Sequence, residues 1–533
     1  MTIESAVRES FVDSNFGRHA PLAMDAAMFR KLGHRLVDQL AGFLESLPLG
    51  PVTRDESPSV VRDALDLTGP LPEMGTDPGP LLENAAELLF AHSLFNGHPR
   101  FFGYITAPPA PIGILGDFLA AALNSNVGAW TLSPAATEVE SQTIRWIAEL
   151  IHYPVNCGGL LVSGGNMANF ICFLAARTAK AGWDVRKQGL WENSGRRLRA
   201  YCSSETHTWM QKATDLGGIG TESIRWIATD SKLRMDVPAL HRQIEADRAA
   251  GDVPFLVVGT AGSVSTGTVD PLPEICALCK QYGLWFHVDG AYGGFAAAVS
   301  HAHDDLRGLG LADSVAVDPH KWLYAPLEAG CALVRDPEML RAAFAYHPPY
   351  YHFEEKVTNY FDCGPQNSRG FRALKVWLAL KQVGGEGYRN MIAEDIRLSQ
   401  AMALAVSRHQ ELQLMTQELS ITTFRYVPRD LRGRLGEAEV ELHLDRLNRE
   451  LLDRLQRGGE IFISNAVVGG RYLLRACIVN FHTTHADVEA VPNIVVRIGR
   501  ELDAALRAAN SLPGEDGGQN QATTPGVSDH KKT

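Results

Sequence analysis

Apolar and polar positions follow different spacings in three successive regions of the chain. In the first region, apolar residues recur every three or four positions from Ala26 to Leu47, which predicts one amphipathic helix. The stretch that follows, 49–80, is rich in proline, glycine and aspartate and predicts no long regular element. Because one amphipathic helix cannot form a core of its own, we expect this region to pack on the rest of the chain or on a partner subunit.

Between about residues 110 and 400, short apolar runs alternate with helical patterns. Buried strands are predicted at Gly159–Val162, Phe255–Val258, Trp285–Val288 and Ser314–Val317, and helices at Asn169–Ala181 and Leu272–Tyr282. Strands and helices in alternation are typical of an α/β domain with a mostly parallel sheet. This region is therefore predicted to be the large α/β domain of the protein.

After about residue 400 the pattern changes again and predicts a smaller α+β domain. Helical stretches at Ala393–Arg408 and Glu437–Arg457 accompany strand-like runs at Ile421–Tyr426, Ile461–Asn465 and Tyr472–Val479. The final residues are rich in glycine, proline, threonine and glutamine, which predicts a disordered tail. The predicted organisation is an N-terminal helical segment (1–110), a large α/β domain (111–400), a small C-terminal α+β domain (401–512) and a tail (513–533).

Composition narrows the classes of protein that this chain can represent. Apolar residues make up 45% of the 533 positions, enough for a substantial core, and the net charge is −11 without any basic block. We therefore expect no nucleic-acid partner.

No apolar run approaches the ~20 residues of a membrane span, and the N-terminus has no apolar core of the signal-peptide type, so we expect a cytoplasmic protein without a membrane partner. Cys276 and Cys279 lie one turn apart in a predicted helix without a second pair, and no metal site is expected.

Two predicted strands end at residues that can carry chemistry. The run Ser314–Val317 leads into Asp-Pro-His-Lys and places Lys321 at the carboxyl end of a strand, where α/β sheets form their ligand crevice. A sheltered lysine amine at such a place can form a Schiff base. The run Trp285–Val288 leads into Asp289, and a carboxylate there can pair with a pyridine nitrogen. Taken alone, Lys321 is better explained as an ordinary loop lysine, and an aspartate such as Asp289 commonly caps a turn.

Three further motifs have the same ambiguity when each is taken alone. A strand, the turn Ser-Gly-Gly-Asn and a helix expose backbone N–H groups at Gly165 and Asn166, which suits a phosphate group. His207 follows Ser-Ser-Glu-Thr, and its ring can lie against the face of a flat cofactor. Thr260 ends a strand that continues into Ala-Gly-Ser. No Gly-x-Ser-x-Gly motif is present, which disfavours a serine hydrolase.

Together and in this order, the five motifs resemble the group II pyridoxal-phosphate-dependent decarboxylases. The resemblance extends from about Phe29 to Leu502 and is nearest to the aromatic-L-amino-acid decarboxylase branch. It implies the aspartate-aminotransferase-type fold (fold type I), an α/β architecture with a large mostly parallel sheet domain and a small C-terminal α+β domain. It also implies pyridoxal 5'-phosphate as the cofactor, and a homodimer in which the N-terminal segment clasps the second subunit and the site draws on both chains.

The resemblance implies a role for each matching residue. Lys321 is similar to the Schiff-base lysine, Asp289 to the partner of the pyridinium nitrogen, and His207 to the histidine that stacks on the ring. The other cofactor-binding positions implied are Ala291 beside the ring, Thr260 on its phenolate side, Gly165 and Asn166 at the phosphate, and His320 before the lysine. For the substrate, Tyr104, Trp130 and Arg475 match, although a structural salt bridge explains Arg475 equally well.

A loop tyrosine contributes to protonation of the substrate carbon in this family. Counting back without gaps from Ser368-Arg-Gly-Phe-Arg places it at Tyr346, with Tyr350 and Tyr351 nearby. The catalytic set implied by the resemblance is thus Lys321, Asp289, His207 and Tyr346.

The chain departs from the family pattern at the phosphate and in the substrate pocket. Asp318 stands where many relatives have asparagine, and a second anion beside a phosphate is unfavourable unless it turns away or is paired. Ile105 and Gly128 are smaller than the rings of the aromatic branch, which predicts a wider or more polar pocket.

We expect decarboxylation of an L-amino acid, with aromatic substrates favoured, to the amine and carbon dioxide. The alternatives are a branched aliphatic or acidic substrate, another pyridoxal-phosphate reaction such as an aldehyde synthase, a transaminase or a carbon–sulfur lyase, and a catalytically silent binding protein. The presence of Lys321, Asp289 and His207 argues against the silent protein.

Overall fold

The computed structural model describes residues 20–65, 69–190, 195–348 and 357–510, and the chain forms two compact units, Met1–Phe95 and Asn96–Thr533. The predicted tail (513–533) and the loop tyrosines Tyr350 and Tyr351 lie outside the described residues. No described helix has both the length and the apolar character needed to cross a membrane. The predicted domain boundaries stay predictions, and the helical segment Ala373–Ser407, which is kinked at Gly384 (φ +70°), runs across residue 400.

The described part of the first unit consists of helices α1 (Ala26–Ser46), α2 (Pro58–Ala64) and α3 (Pro78–Ala91). The Asp25 carboxylate caps α1 by accepting a hydrogen bond from the Met28 amide (2.7 Å). Phe43 of α1 stacks on Phe90 of α3, with ring centroids 4.4 Å apart. The amphipathic helix predicted at Ala26–Leu47 is therefore present.

In the described part of the second unit, seven strands form one sheet in the order β1-β7-β6-β5-β4-β2-β3. The pairs formed by β7 are antiparallel and all other neighbours are parallel. The predicted large, mostly parallel sheet is thus confirmed. Its strands are β1 (Gly158–Val162), β2 (Leu198–Ser203), β3 (Ile224–Ile227), β4 (Val253–Thr260), β5 (Trp285–Asp289), β6 (Ser314–Val317) and β7 (Gly330–Val334).

A second, four-stranded antiparallel sheet, in the order β10-β11-β9-β8, follows later in the chain. It confirms the predicted small α+β element, and its strands are β8 (Leu412–Glu418), β9 (Ile421–Tyr426), β10 (Ser464–Val468) and β11 (Arg471–Cys477). The helices of this unit are α4 (Pro111–Leu123), α5 (Pro134–Leu150), α6 (Gly165–Lys180), α7 (Val185–Gln188), α8 (Trp209–Leu216), α9 (Val237–Ala249), α10 (Leu272–Tyr282), α11 (Pro337–Phe344), α12 (Ala373–Ser407), α13 (Ala438–Arg457) and α14 (His485–Asn510).

The central strands of the large sheet are mostly apolar because both of their faces are covered. Strands β5, β6 and β7 are buried at every position, as expected for a sheet that carries helices on both sides. In the parallel register Thr260 of β4 lies beside Asp289 of β5, which lies beside Ala316 of β6. The carboxyl ends of these strands therefore meet at one edge.

A buried ion pair ties the helix layer to the first strand. The Arg369 guanidinium contacts the Glu140 carboxylate (Nη2–Oε1 2.5 Å) and donates to the carbonyl oxygens of Val127 (2.8 Å) and Leu161 (2.7 Å). Glu140 also accepts from the Leu161 amide (2.8 Å), and both charged side chains are at most 1% exposed. Removing one partner would leave a charge in the core without compensation.

We therefore predict that Glu140→Ala lowers the free energy of unfolding by about 3–5 kcal/mol. The matched control is Glu394→Ala, which removes an exposed partner of Arg397 (2.7 Å) and is expected to change stability by less than about 0.5 kcal/mol. Denaturant unfolding of the cofactor-free protein measures both variants. Equal losses for the two variants would contradict the role given to the buried pair.

Candidate active site

A cavity of about 670 Å³ opens at the carboxyl edge of the large sheet, in the second unit. It lies where strands β4, β5 and β6 end and where helix α6 begins. Nearly all of the residues proposed from the sequence line it, namely Tyr104, Gly165, Asn166, His207, Thr260, Asp289, Ala291, His320, Lys321 and Arg475. Residues that are far apart in sequence therefore converge on one site.

Lys321 is paired with a buried carboxylate. Its Nζ lies 3.1 Å from Oδ2 of Asp318, whose side chain is only 3% exposed, and His320 Nε2 lies 3.6 Å from the same oxygen. Oδ1 of Asp318 has no hydrogen-bond partner among the described residues. Asp318 thus does not turn away from the site, and the lysine compensates its charge. Burial lowers the pKa of His320, whose Nδ1 donates to the Ala329 carbonyl oxygen (2.6 Å).

The Asp289 carboxylate is held at both oxygens. Oδ2 accepts from the indole Nε1 of Trp209 (2.7 Å), and Oδ1 accepts from the Ala291 amide (3.1 Å). His207 lies on the same wall, and its Nδ1 accepts from the Trp209 backbone amide (3.2 Å). Burial lowers the pKa of His207, so the neutral ring is favoured, and its single proton is then on Nε2.

Thr260 is placed by a buried acid behind it. Asp270 accepts hydrogen bonds from the Thr260 amide (2.8 Å) and from the Met235 amide (2.7 Å). Burial raises the pKa of Asp270 to about 6. The Thr260 hydroxyl lies 3.5 Å from that of Thr206. Thr260 is therefore held in a defined position at the end of β4.

The turn before helix α6 is built for close approach of a ligand to the backbone. Gly164 adopts φ +97°, a conformation that favours glycine. A Cβ on Gly165 would lie 2.7 Å from Asp318 Oδ2 and 3.1 Å from the Ala291 side chain, so this space must stay open. Gly330 of β7 packs on Gly164 from the other side. A Cβ on Gly330 would lie 2.5 Å from the carbonyl carbon of Gly164. The open helix N-terminus matches the predicted phosphate site.

Arg475 reaches the cavity from strand β11. It is 2% exposed, and its Nη1 donates to Tyr104 O and to Ser464 Oγ, both at 3.0 Å. Its Nε and Nη2 have no hydrogen-bond partner within the described residues, which also show no ion pair of this arginine. The alternative role as half of a salt bridge is thus not seen, and two buried donors are available to an anionic or carbonyl group.

Two predicted residues lie elsewhere. Trp130 does not line the cavity, and its Nε1 donates to Glu138 Oε1 (2.9 Å). Tyr346 is 70% exposed, and the Arg186 guanidinium carbon lies 4.2 Å from the centre of its ring. Within this one chain the catalytic and substrate roles given to them have no geometry to support them.

Gly128 does not widen the pocket. It lies outside the cavity lining, and a Cβ at this position would lie 2.2 Å from the Asn367 carbonyl oxygen. Its small size is therefore required by backbone packing. Ile105, in contrast, lines the cavity, together with Val264, Leu327 and the polar Asn465.

Sequence reasoning missed a layer of side chains behind the site. His287 of β5 is fully buried, with Nδ1 2.9 Å from Ser314 Oγ and Nε2 2.7 Å from Asn169 Oδ1. The ring of Trp209 stands edge-on to it, with centroids 5.7 Å apart. Asn169 itself lines the cavity. The only sequence signal was a polar residue within an apolar strand, which alone does not identify a contact.

The arrangement suits a flat ring that carries a phosphate and a carbonyl group. The amine of Lys321, the carboxylate of Asp289 and the open turn at Gly165 line one cavity, with His207 and Ala291 also on its walls. The anion Asp318 is compensated by Lys321. The residues present therefore fit pyridoxal 5'-phosphate.

Comparisons with known proteins agree with this geometry. The model of the pyridoxal-dependent decarboxylase conserved domain matches residues 67–427. An aromatic-L-amino-acid decarboxylase from Bacillus atrophaeus is 33% identical over 486 residues, covering 90% of this chain and 97% of that protein. A phenylacetaldehyde synthase from Petunia hybrida is 30% identical and covers 89% and 94%, respectively. The solved structure of Oryza sativa TDC with PLP and tryptamine gives a TM-score of 0.83 at 26% identity, covering 91% of this chain and 99% of that chain.

The buried His287 generates a prediction on acid stability. Burial lowers its pKa from 6.5 to about 4, so between these values the unfolded chain binds a proton that the folded protein does not. The stability that depends on neutral His287 is complete above pH 6.5 and is lost as the pH falls toward 4. We expect this one group to cost about 2 kcal/mol of unfolding free energy between pH 7 and 4.5.

Denaturant unfolding at a series of pH values tests this expectation with His287→Gln. The variant retains an amide that can donate and accept, but it does not titrate in this range. Its unfolding free energy should fall less steeply with acid than that of the unmodified protein. Parallel pH curves for the two proteins would exclude His287 as a source of acid sensitivity.

Proposed function

The chain belongs to the pyridoxal-dependent decarboxylase family, and on that premise we propose that it converts an aromatic L-amino acid to its amine and carbon dioxide. The observation that carries the proposal is the convergence of Lys321, Asp289 and His207 with an open glycine turn in one cavity. A lysine without the carboxylate and the turn could attach the cofactor covalently but would not hold its ring nitrogen or its phosphate. Pyridoxal 5'-phosphate is the cofactor that this set fits.

Each cofactor contact has a proposed holder in this chain. Lys321 would attach the cofactor through its amine, Asp289 would face the ring nitrogen, and His207 and Ala291 would lie on either side of the ring. The amides at Gly165 and Asn166 would receive the phosphate, with Thr260 and His320 completing the surroundings. When bound, pyridoxal phosphate supplies an electron-accepting ring for the electron pair that a departing carboxylate leaves behind.

The chain's own residues control where charge and protons go. Asp289 presents a carboxylate whose two oxygens are already fixed by Trp209 and Ala291, so its direction does not change when a ring nitrogen approaches. His207, neutral and with its proton on Nε2, is a donor on the cavity wall that adds no positive charge. A neutral donor orients a substrate carboxylate without holding it strongly as an anion, which favours its departure as carbon dioxide.

The cavity walls and the relatives support an aromatic substrate. Tyr104, Ile105, Val264 and Leu327 supply apolar surface, and about 670 Å³ is enough for a ring substrate. The relative from Bacillus atrophaeus is an aromatic-L-amino-acid decarboxylase, and it covers almost the whole of this chain. Nε and Nη2 of Arg475, which have no hydrogen-bond partner among the described residues, suit the polar end of such a substrate.

We further propose that the active protein is a homodimer. Tyr346 and Trp130 lie outside the cavity of their own chain, and apolar residues of helix α1 are exposed, among them Val37 (45%) and Met28 (39%). A second copy would cover such a face and bring loop residues to the cavity of its neighbour. Sedimentation of the active protein tests this, and a fully active monomer would contradict it. The cytoplasmic location stays a prediction.

We predict that Lys321→Ala abolishes attachment of the cofactor. The unmodified protein should show a visible absorption band with added pyridoxal phosphate, and borohydride reduction should add the reduced cofactor's mass to the peptide that contains Lys321. The variant should show neither and should lose activity by about a thousandfold or more. Lys232→Ala, at an exposed position, is the control and should behave as the unmodified protein. Labelling of a different lysine would overturn the assignment.

A panel of L-amino acids tests the reaction and the substrate class. Aromatic substrates should give amine and carbon dioxide in equal amounts without consumption of oxygen. The phenylacetaldehyde synthase among the relatives makes an aldehyde synthase the second candidate, and that reaction would consume oxygen and release aldehyde, ammonia, carbon dioxide and hydrogen peroxide. Turnover confined to acidic or branched aliphatic amino acids would overturn the aromatic proposal.

A further inference from the structure

Trp209 contacts two of the side chains expected to meet the cofactor ring, Asp289 and His207. It begins helix α8 and is 1% exposed. Its indole Nε1 donates to Asp289 Oδ2 at 2.7 Å, and its backbone amide donates to His207 Nδ1 at 3.2 Å. A single rigid side chain and its own backbone thus bridge strand β5 and the loop before α8.

The indole has little freedom to leave this position. Its ring stands at 86° to the ring of His287, with centroids 5.7 Å apart, and His287 is itself held by Asn169 and Ser314. The donor is therefore oriented before any ligand arrives. Preorganised donors of this kind act on a carboxylate without a reorganisation cost at the moment of binding.

The bond also decides how Asp289 can use its oxygens. The Ala291 amide occupies Oδ1 and the indole occupies Oδ2, so the plane of the carboxylate is fixed by two donors from different directions. Without the indole, the side chain of Asp289 would be restrained only through a contact two residues along its own loop. Rotation of the carboxylate would then compete with its contact to a ring nitrogen.

We propose that Trp209 is a positioning residue for the cofactor, which fixes the Asp289 carboxylate through its indole and the proton of His207 on Nε2 through its amide. This inference rests on the proposed role of Asp289. Part of the affinity for pyridoxal phosphate would then come from a tryptophan that does not itself touch the cofactor ring.

Trp209→Phe isolates the indole contribution, because phenylalanine keeps an aromatic ring and the backbone amide to His207 but has no N–H for Asp289. We expect the dissociation constant for pyridoxal phosphate to rise about tenfold or more, since hydrogen bonds to charged groups are among the stronger ones. The control is Trp377→Phe, which removes an indole hydrogen bond away from the cavity, to Gln142 Oε1 (2.7 Å). The dissociation constant of this control variant for pyridoxal phosphate should stay within about twofold of that of the unmodified protein.

A double-mutant cycle separates positioning from general stability. If Trp209 acts through Asp289, Trp209→Phe should have almost no further effect on the dissociation constant in the Asp289→Asn background. Fully additive effects, or an unchanged dissociation constant in the single variant, would overturn the inference. Failure of the unmodified protein to bind pyridoxal phosphate would instead overturn the proposed function.

A second measurement requires neither the Trp209→Phe variant nor bound cofactor. In the cofactor-free protein labelled with ¹⁵N, the Trp209 indole proton should exchange slowly with solvent and should move on Asp289→Asn substitution. The signals of Trp285 and Trp322 serve as references for buried indoles. A Trp209 indole signal that does not move on Asp289→Asn substitution would contradict the hydrogen bond on which the inference depends.

Discussion

The site depends on the parallel alignment of strands β4, β5 and β6, which end together at one edge of the large sheet. Hydrogen bonding in register sets Thr260, Asp289 and Ala316 side by side, and the chain that leaves β6 carries Lys321 back over this edge. Because side chains on both faces of these strands are packed against neighbouring elements, sliding a strand by one residue would exchange the side chains of its two faces and disrupt that packing. The positions of the acid and the lysine are therefore consequences of sheet packing more than of local loop structure.

Most titratable groups in the site are either paired with an opposite charge or favoured in their neutral form. Asp318 and Lys321 compensate each other at 3.1 Å, and burial keeps His207 and His287 toward their neutral forms. Two groups are exceptions: Asp289 accepts only from the neutral Trp209 indole and Ala291 amide within the described residues, and Arg475 has two buried nitrogen donors without partners among those residues. The cavity therefore contains few uncompensated charges, together with hydrogen-bond donors that a ligand can use.

The sequence allowed the α/β architecture and most of the cavity residues to be predicted, because strand ends that carry Asp289 and Lys321 produce a local pattern. Helix α10 was predicted residue for residue at Leu272–Tyr282. Strands β2 and β3 were not predicted, since their short runs contain arginine and tyrosine, whose burial depends on distant partners such as Asp247 and Asp252. The same limit explains why Trp209 was missed and why the reason for Gly128 was misjudged, because both depend on contacts across 80 or more positions of sequence.

The contact between Gly164 and Gly330 has a consequence for the history and redesign of the phosphate turn. The turn rests directly on the backbone of β7, which runs antiparallel to its neighbours β1 and β6. A side chain on Gly330 would collide with the backbone of Gly164 and lift the turn away from the sheet, so β7 must carry a glycine at this point. The unit that evolution or an engineer can transplant is accordingly the turn together with the distant strand beneath it.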